Sequence, residues 1–152
     1  MIAPISSHLI QSLLQQRKTD MKVIVAGNRY KDPEAKLIFD DYSLVLKAIN
    51  SCGFFIDELV SGTAIGVDRL GEQWADTRSI PITKMPADWN KYGKRAGPAR
   101  NKAMAEYADA AVIIWDGKSH GTRNMIDEMI RQKKPYHLQL TLSTLSLESF
   151  YE

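Results

Sequence analysis

The chain has 152 residues, 44% hydrophobic and 25% charged, which fits one ordinary globular domain able to bury most of its apolar surface. Its net charge of +2 is too small to point to a nucleic-acid or membrane partner, since such partners show as a broad basic face. The single Cys52 excludes an internal disulfide framework and paired zinc thiols, and no apolar run nears the roughly 20 residues of a membrane span, so a soluble, cytoplasmic protein is expected.

Residues 1–20 place Leu9, Ile10, Leu13 and Leu14 on one side of a short helix ahead of Met21. This N-terminal appendage is expected to pack on its own domain or on a second copy, the homodimer being favoured. A domain over 21–140 follows. KVIVAG (22–27) and AAVIIW (110–115) are continuous apolar, β-branched runs, the pattern of strands buried on both faces of a parallel sheet. Weaker runs at 57–62, 80–85 and 135–140 have strand length. Helical spacing separates them, at Leu37, Asp41, Leu44, Val45 and Ala48; at Val67, Leu70 and Trp74; at Ala103, Met104 and Tyr107; and at Met125, Ile126 and Met129. The alternation predicts an α/β fold, a Rossmann-like sandwich with a mainly parallel sheet of about five strands and right-handed crossovers. The tail, 141–152, has too little pattern to place.

In such a sheet, ligands lie outside the carboxyl ends of the strands, where the strand order reverses. Strand one leads into Gly27, Asn28 and Arg29; strand two into Ser61, Gly62, Thr63, Gly66 and Asp68; strand four into Asp116, Gly117, Ser119, Gly121 and Thr122. Glycine lets backbone N–H groups approach an anion, and a helix N-terminus adds free donors and a partial positive charge. Phosphate suits such a place. Taken singly, each loop is equally well explained by helix capping, with Asp68 complementing a helix dipole and Ser119 or Thr122 as an N-cap oxygen.

The positive charge is local. Between Asp88 and Glu106 stand Lys91, Lys94, Arg95, Arg100 and Lys102 without one acid, and this segment turns a net of −3 over the rest of the chain into +2. Gly97-Pro98 reads as a helix start that puts Arg100 and Asn101 in the first turn, where a cation opposes the helix dipole unless an anion is bound. A phosphate-bearing ligand reached by Arg29 and Arg100 is the favoured reading, against a solvated basic loop. Trp89 and Tyr92 lie in this polar segment, and Trp89 is a candidate for stacking on a base; Trp74 and Trp115 read as core. His8, His120 and His137 lack ligand spacing, so no metal site is predicted. Asp68, Asp116, Asp127 and Glu128 are the carboxylates near the crevice, the last two read as a solvated helix face.

The ordered set AGNRYKD, SGTAIGVDRLGEQWAD, PADWNKYGKRAGPARNKAM and VIIWDGKSHGTRNMID resembles the stand-alone SLOG family related to YspA and YpsA, from about residue 22 to 138. Such proteins are common in phages and bacteria, within the superfamily of Smf/DprA and the Lonely Guy phosphoribohydrolases. The resemblance implies a Rossmann-like fold and a site for a nucleotide or nucleotide-derived ligand, ADP-ribose- or NAD-like, in a sensor or sequestering module. No cofactor is firmly implied. It carries Gly27, Arg29, Gly62, Gly66, Asp68, Arg100, Asn101, Asp116, Ser119, Gly121 and Thr122 over to that site. Two alternatives remain. A nucleoside-phosphate N-glycosidase would need the glutamates that Lonely Guy enzymes carry just after the GT turn, where Arg123, Asn124 and Met125 stand here. A single-stranded DNA binder would use the basic segment, with no stacking platform visible in the sequence.

Overall fold

The computed structural model describes residues 4, 6–10, 21–29 and 39–141. Of the appendage, 7–10 are helical, with Leu9 and Ile10 about half exposed. Leu13, Leu14 and Leu37, and the tail from 142, lie outside the described residues.

Five strands form one sheet: β1 (Lys22–Gly27), β2 (Glu58–Ser61), β3 (Ile82–Lys84), β4 (Ala110–Trp115) and β5 (Tyr136–Leu140). Their order is β3-β2-β1-β4-β5 and every pairing is parallel, so the fold is the expected Rossmann-like α/β sandwich. The reversal of strand order falls between β1 and β4, which pair from Val23↔Ala110 to Gly27↔Ile114. That neighbour relation opens a crevice above the carboxyl ends of both strands.

The apolar runs divide by the pleat. Val23, Val25, Leu59, Ala110, Val112 and Ile114 face one core, while Ile24, Val60, Ala111 and Ile113 face the other. Helices α1 (Phe39–Ser51) and α2 (Val67–Thr77) cover the first face. Helix α2 buries Val67, Leu70, Gly71, Trp74 and Ala75, a stripe at the 3.6-residue period.

A single turn, α3 (Trp89–Tyr92), and a 3-10 turn at Gly93–Arg95 lead directly into α4 (Ala96–Tyr107), which with α5 (His120–Arg131) covers the second face. Because the 3-10 turn already has helical dihedrals at Arg95 and Ala96, α4 begins at Ala96 rather than at the Gly-Pro pair. Pro98 is its third residue, where its missing N–H costs nothing, and Arg100 and Asn101 fall in the second turn, not the first. Arg100 is thus not a cation opposing the helix end.

Candidate functional site

The three loops meet in one crevice of about 930 Å3, walled by the end of β1, the loop after β4 and the helices α2, α3, α4 and α5. Gly27, Asn28 and Arg29 line it from the end of β1, and Gly62 and Asp68 from the β2–α2 connection. Asp116, Ser119, Gly121 and Thr122 line it from the β4–α5 connection, and Trp89, Arg100 and Asn101 from the basic segment. Ser61, Thr63, Gly66 and Gly117 do not reach it.

Those four shape the loops instead. Ser61 is fully buried; its hydroxyl donates to Glu72 Oε2 at 2.7 Å and accepts from the Thr63 amide at 3.1 Å. Glu72 is further met by Lys84 Nζ at 3.4 Å and Arg69 at 3.8 Å. Thr63 is thereby held at φ 65, unusual for a β-branched residue. Gly66, at φ 124, caps α2; a side chain there would collide with the Asn28 carbonyl, because Gly66 and Arg29 form an antiparallel bridge. Gly117 occupies a positive-φ turn with open space around it.

At the crevice floor Asp68 is buried. Its Oδ2 accepts from the Ala64 amide at 3.1 Å. Burial raises its pKa to about 6, opposed by the Ala64 amide and by Arg100, with Glu72 adding to the rise and Arg29 opposing it. Arg100 rests beside it: Nη1 donates to the Gly62 carbonyl at 2.5 Å and Nε to Asn101 Oδ1 at 3.0 Å. Desolvation lowers the arginine's pKa and Asp68 restores part of it. A Cβ on Gly62 would stand 2.6 Å from Arg100 Nη1 and 2.8 Å from Asp68 Oδ2, so only glycine lets this pair close over the loop.

Asn101 continues the belt. It is buried, and its amide donates to the Gly121 carbonyl at 3.2 Å and to Asn124 Oδ1 at 2.9 Å. Floor, α4 and α5 are therefore joined by one hydrogen-bonded chain.

On the opposite wall, Ser119 caps α5, its hydroxyl accepting from the Thr122 amide at 3.4 Å. Asp116 spends one carboxylate oxygen on the amides of Lys118 and Ser119, both at 2.8 Å, and its own amide donates to Asn28 Oδ1 at 3.3 Å. The first turn of α5 leaves the amides of His120 and Gly121 to solvent or to a ligand. Gly121 has nothing within 4 Å of where a Cβ would stand, so that backbone faces open space. Exposed Arg29 and Lys118 look onto the same crevice.

Lys118, His120 and Asn124 also line the crevice and were not among the residues singled out from sequence. Asn124 had a signal, since it lies one helical turn beyond Gly121. Ile65, Pro98, Met104 and Met125 supply apolar wall and carry no signal beyond periodicity. Of the two carboxylates read as a solvated face, Asp127 is exposed but Glu128 is buried, held by Arg131 on its own helix and by Gln132 at that helix's C-cap. Neither lines the crevice. Among the described residues no three His, Cys, Asp or Glu side chains cluster to hold a metal ion, and no helix is long and apolar enough to cross a membrane.

Comparison with curated proteins and with solved structures finds no match. Comparison with protein families does: a nucleotide-related ligand-binding or glycosidase role fits the family found. Residues 21–92, which hold the first two motifs and the start of the third, match the family described as YAcAr: YspA, cpYpsA-related SLOG family.

Proposed function

We propose that the crevice binds a nucleotide or nucleotide-derived ligand, and that the protein acts as a sensor or sequestering module for it. One observation carries the reading. The open first turn of α5, the exposed guanidinium of Arg29 and the half-exposed ring of Trp89 line a single cavity at the β1–β4 reversal. A phosphate fits the α5 amides, where donors and dipole both favour an anion. Arg29 adds a charge-assisted bond, and Trp89 offers a face for a base. Arg100 shapes the floor and contributes positive potential, because two of its donors are already engaged within the protein.

A thermal-shift screen against nucleoside mono- and diphosphates, ADP-ribose and NAD tests the reading. A ligand at 100 times its dissociation constant stabilises the fold by about 2.7 kcal/mol, a shift of several degrees for a chain of this length. No shift with any of them would contradict the proposal. The same mixtures, analysed for free base, test hydrolysis. Binding without release is expected, since Arg123 is exposed, Asn124 is tied to Asn101, Met125 is buried, and none is a carboxylate.

A further inference from the structure

The segment from Asp88 to Arg95 is exposed at every position, and neither α3 nor the 3-10 turn buries a single residue. It therefore adds nothing to either core, yet it displays Trp89 at 51% exposure and Tyr92 at 47%. Singly exposed hydrophobics are ordinary, but these two rings stand three residues apart on one turn, and contiguous apolar faces of that kind mark contact sites. Three cations, Lys91, Lys94 and Arg95, are interleaved with them, and none forms an ion pair with a described carboxylate. The one acid, Asp88, is spent on the helix, where its Oδ1 accepts from the Lys91 amide at 3.1 Å. Lys91 Nζ hovers 5.0 Å over the Tyr92 ring, so cation and aromatic face already share one surface.

The strip is continuous with the crevice. Trp89 lines the crevice at one end of the segment, and Gly97 and Pro98 line it just beyond the other. The Trp89 ring lies against Gly97, with Cη2 3.7 Å from where a Cβ would be. Alternating aromatic faces and cations suit a flexible strand whose bases stack and whose phosphates are neutralised one after another. An acidic peptide would use the cations and leave the rings idle.

We propose that the ligand is a single-stranded polynucleotide, with one nucleotide in the crevice and the adjoining phosphates and bases running over residues 88–95. This rests on the nucleotide reading of the crevice and extends it from a small molecule to a chain.

Calorimetric titration with adenosine monophosphate and with adenylate oligomers of two, four and six nucleotides, in DNA and RNA forms, tests it. Affinity is expected to rise with length, the hexamer binding roughly tenfold or more tighter than the monophosphate at low salt. In Lys91→Ala/Lys94→Ala/Arg95→Ala the monophosphate should bind within about twofold of the native affinity, because these exposed charges lie outside the crevice. The hexamer should fall to within about threefold of the monophosphate, and the slope of log K against log salt should shrink by about 2, three contacts at ~0.7 each. The DNA and RNA arms tell which polymer is preferred.

Monophosphate binding with no gain on lengthening would overturn the strip and leave the crevice reading intact. A hexamer that binds while the monophosphate does not would sink the crevice reading and the two-part site with it. Competition by a glutamate hexapeptide as effective as by the DNA hexamer would show a general polyanion surface and overturn the polynucleotide assignment.

Discussion

At the scale of single residues, the cations of the crevice divide by what already holds them. Arg29 is exposed and its guanidinium has no partner among the described residues, whereas Arg100 is bonded to the Gly62 carbonyl and to Asn101 beside the buried Asp68. Arg29→Ala should therefore weaken nucleotide binding by about 1.5–3 kcal/mol, tenfold or more, with an unliganded melting temperature close to native. Arg100→Ala should lower the melting temperature as well, because it strips the counter-charge from a buried carboxylate. Equal melting temperatures for the two variants would refute this division of roles. Asp68 gives a pH dependence with a definite sign. Its folded pKa, near 6, lies above the unfolded value of 3.8, so its contribution to stability is full below about pH 4 and is lost as pH rises through 6. Protonation also removes a negative charge beside Arg100 and Arg29. Sulfate, which keeps its charge over this range, should bind more tightly at pH 5 than at pH 7.5, and Asp68→Asn should reduce that difference. A pH profile unchanged by Asp68→Asn would remove Asp68 from the anion's surroundings. Little of this was legible in the sequence. Arg29 and Asp68 stand in recognisable loops, but the occupation of Arg100 depends on a carbonyl 38 positions away that no local pattern encodes.

At the scale of elements, period and punctuation located the strands and helices, and they failed where polar contacts decide. The strands at 22–27 and 110–115 have the bounds expected, because a β-branched run buried on both faces leaves no other reading. Helix α4 has the weakest periodic pattern of the helices that cover the sheet. Its buried positions include Ala96, Asn101, Met104 and Ala105, a stripe of small and polar side chains with little apolar contrast. What anchors its far end is Lys134, whose ammonium donates to the carbonyls of Ala105, Glu106 and Ala108 at 2.6, 2.8 and 2.7 Å. All three donors are used on the negative end of the helix that carries Arg100 and Asn101. Lys134→Met, which keeps the stem and removes the charge, should cost about 1.5–3 kcal/mol of stability by denaturant titration. A loss under about 0.5 kcal/mol would assign these bonds the small weight of exposed polar contacts. The β2–α2 loop holds the opposite kind of feature. A left-handed conformation costs a β-branched residue about 1–2 kcal/mol. Thr63→Gly relieves it against about 0.4–1 kcal/mol of added unfolded-state entropy. That variant should be as stable as the native protein or more so, with nucleotide affinity unchanged, since Thr63 lies outside the crevice. A clear loss of stability would mean that the Thr63 side chain makes a contribution its backbone geometry hides.

At the scale of the whole molecule, the sheet order is what turns three ordinary capping loops into one site. β1 and β4 pair residues 87 positions apart in sequence, as in Val23 with Ala110, so the Arg29 loop and the α5 N-terminus share a crevice only because the chain reverses its strand order between them. Alternation of strand and helix made that topology readable in advance; the way the basic segment splits did not follow from it. Of its five cations, Arg100 enters the crevice floor, Lys91, Lys94 and Arg95 stay outside it, and Lys102 is exposed on α4. Sequence charge counts all five alike, while the fold gives them different work. The central claim is that a phosphate lies at the α5 N-terminus beside Arg29. Calorimetric titration of the native protein with a nucleoside 5′-monophosphate from the screen, and with the same nucleoside lacking phosphate, tests it most directly. Two charge-assisted contacts imply about 3 kcal/mol or more, hence roughly a hundredfold tighter binding of the monophosphate. Equal affinity for the two, or binding of the nucleoside alone, would contradict the account.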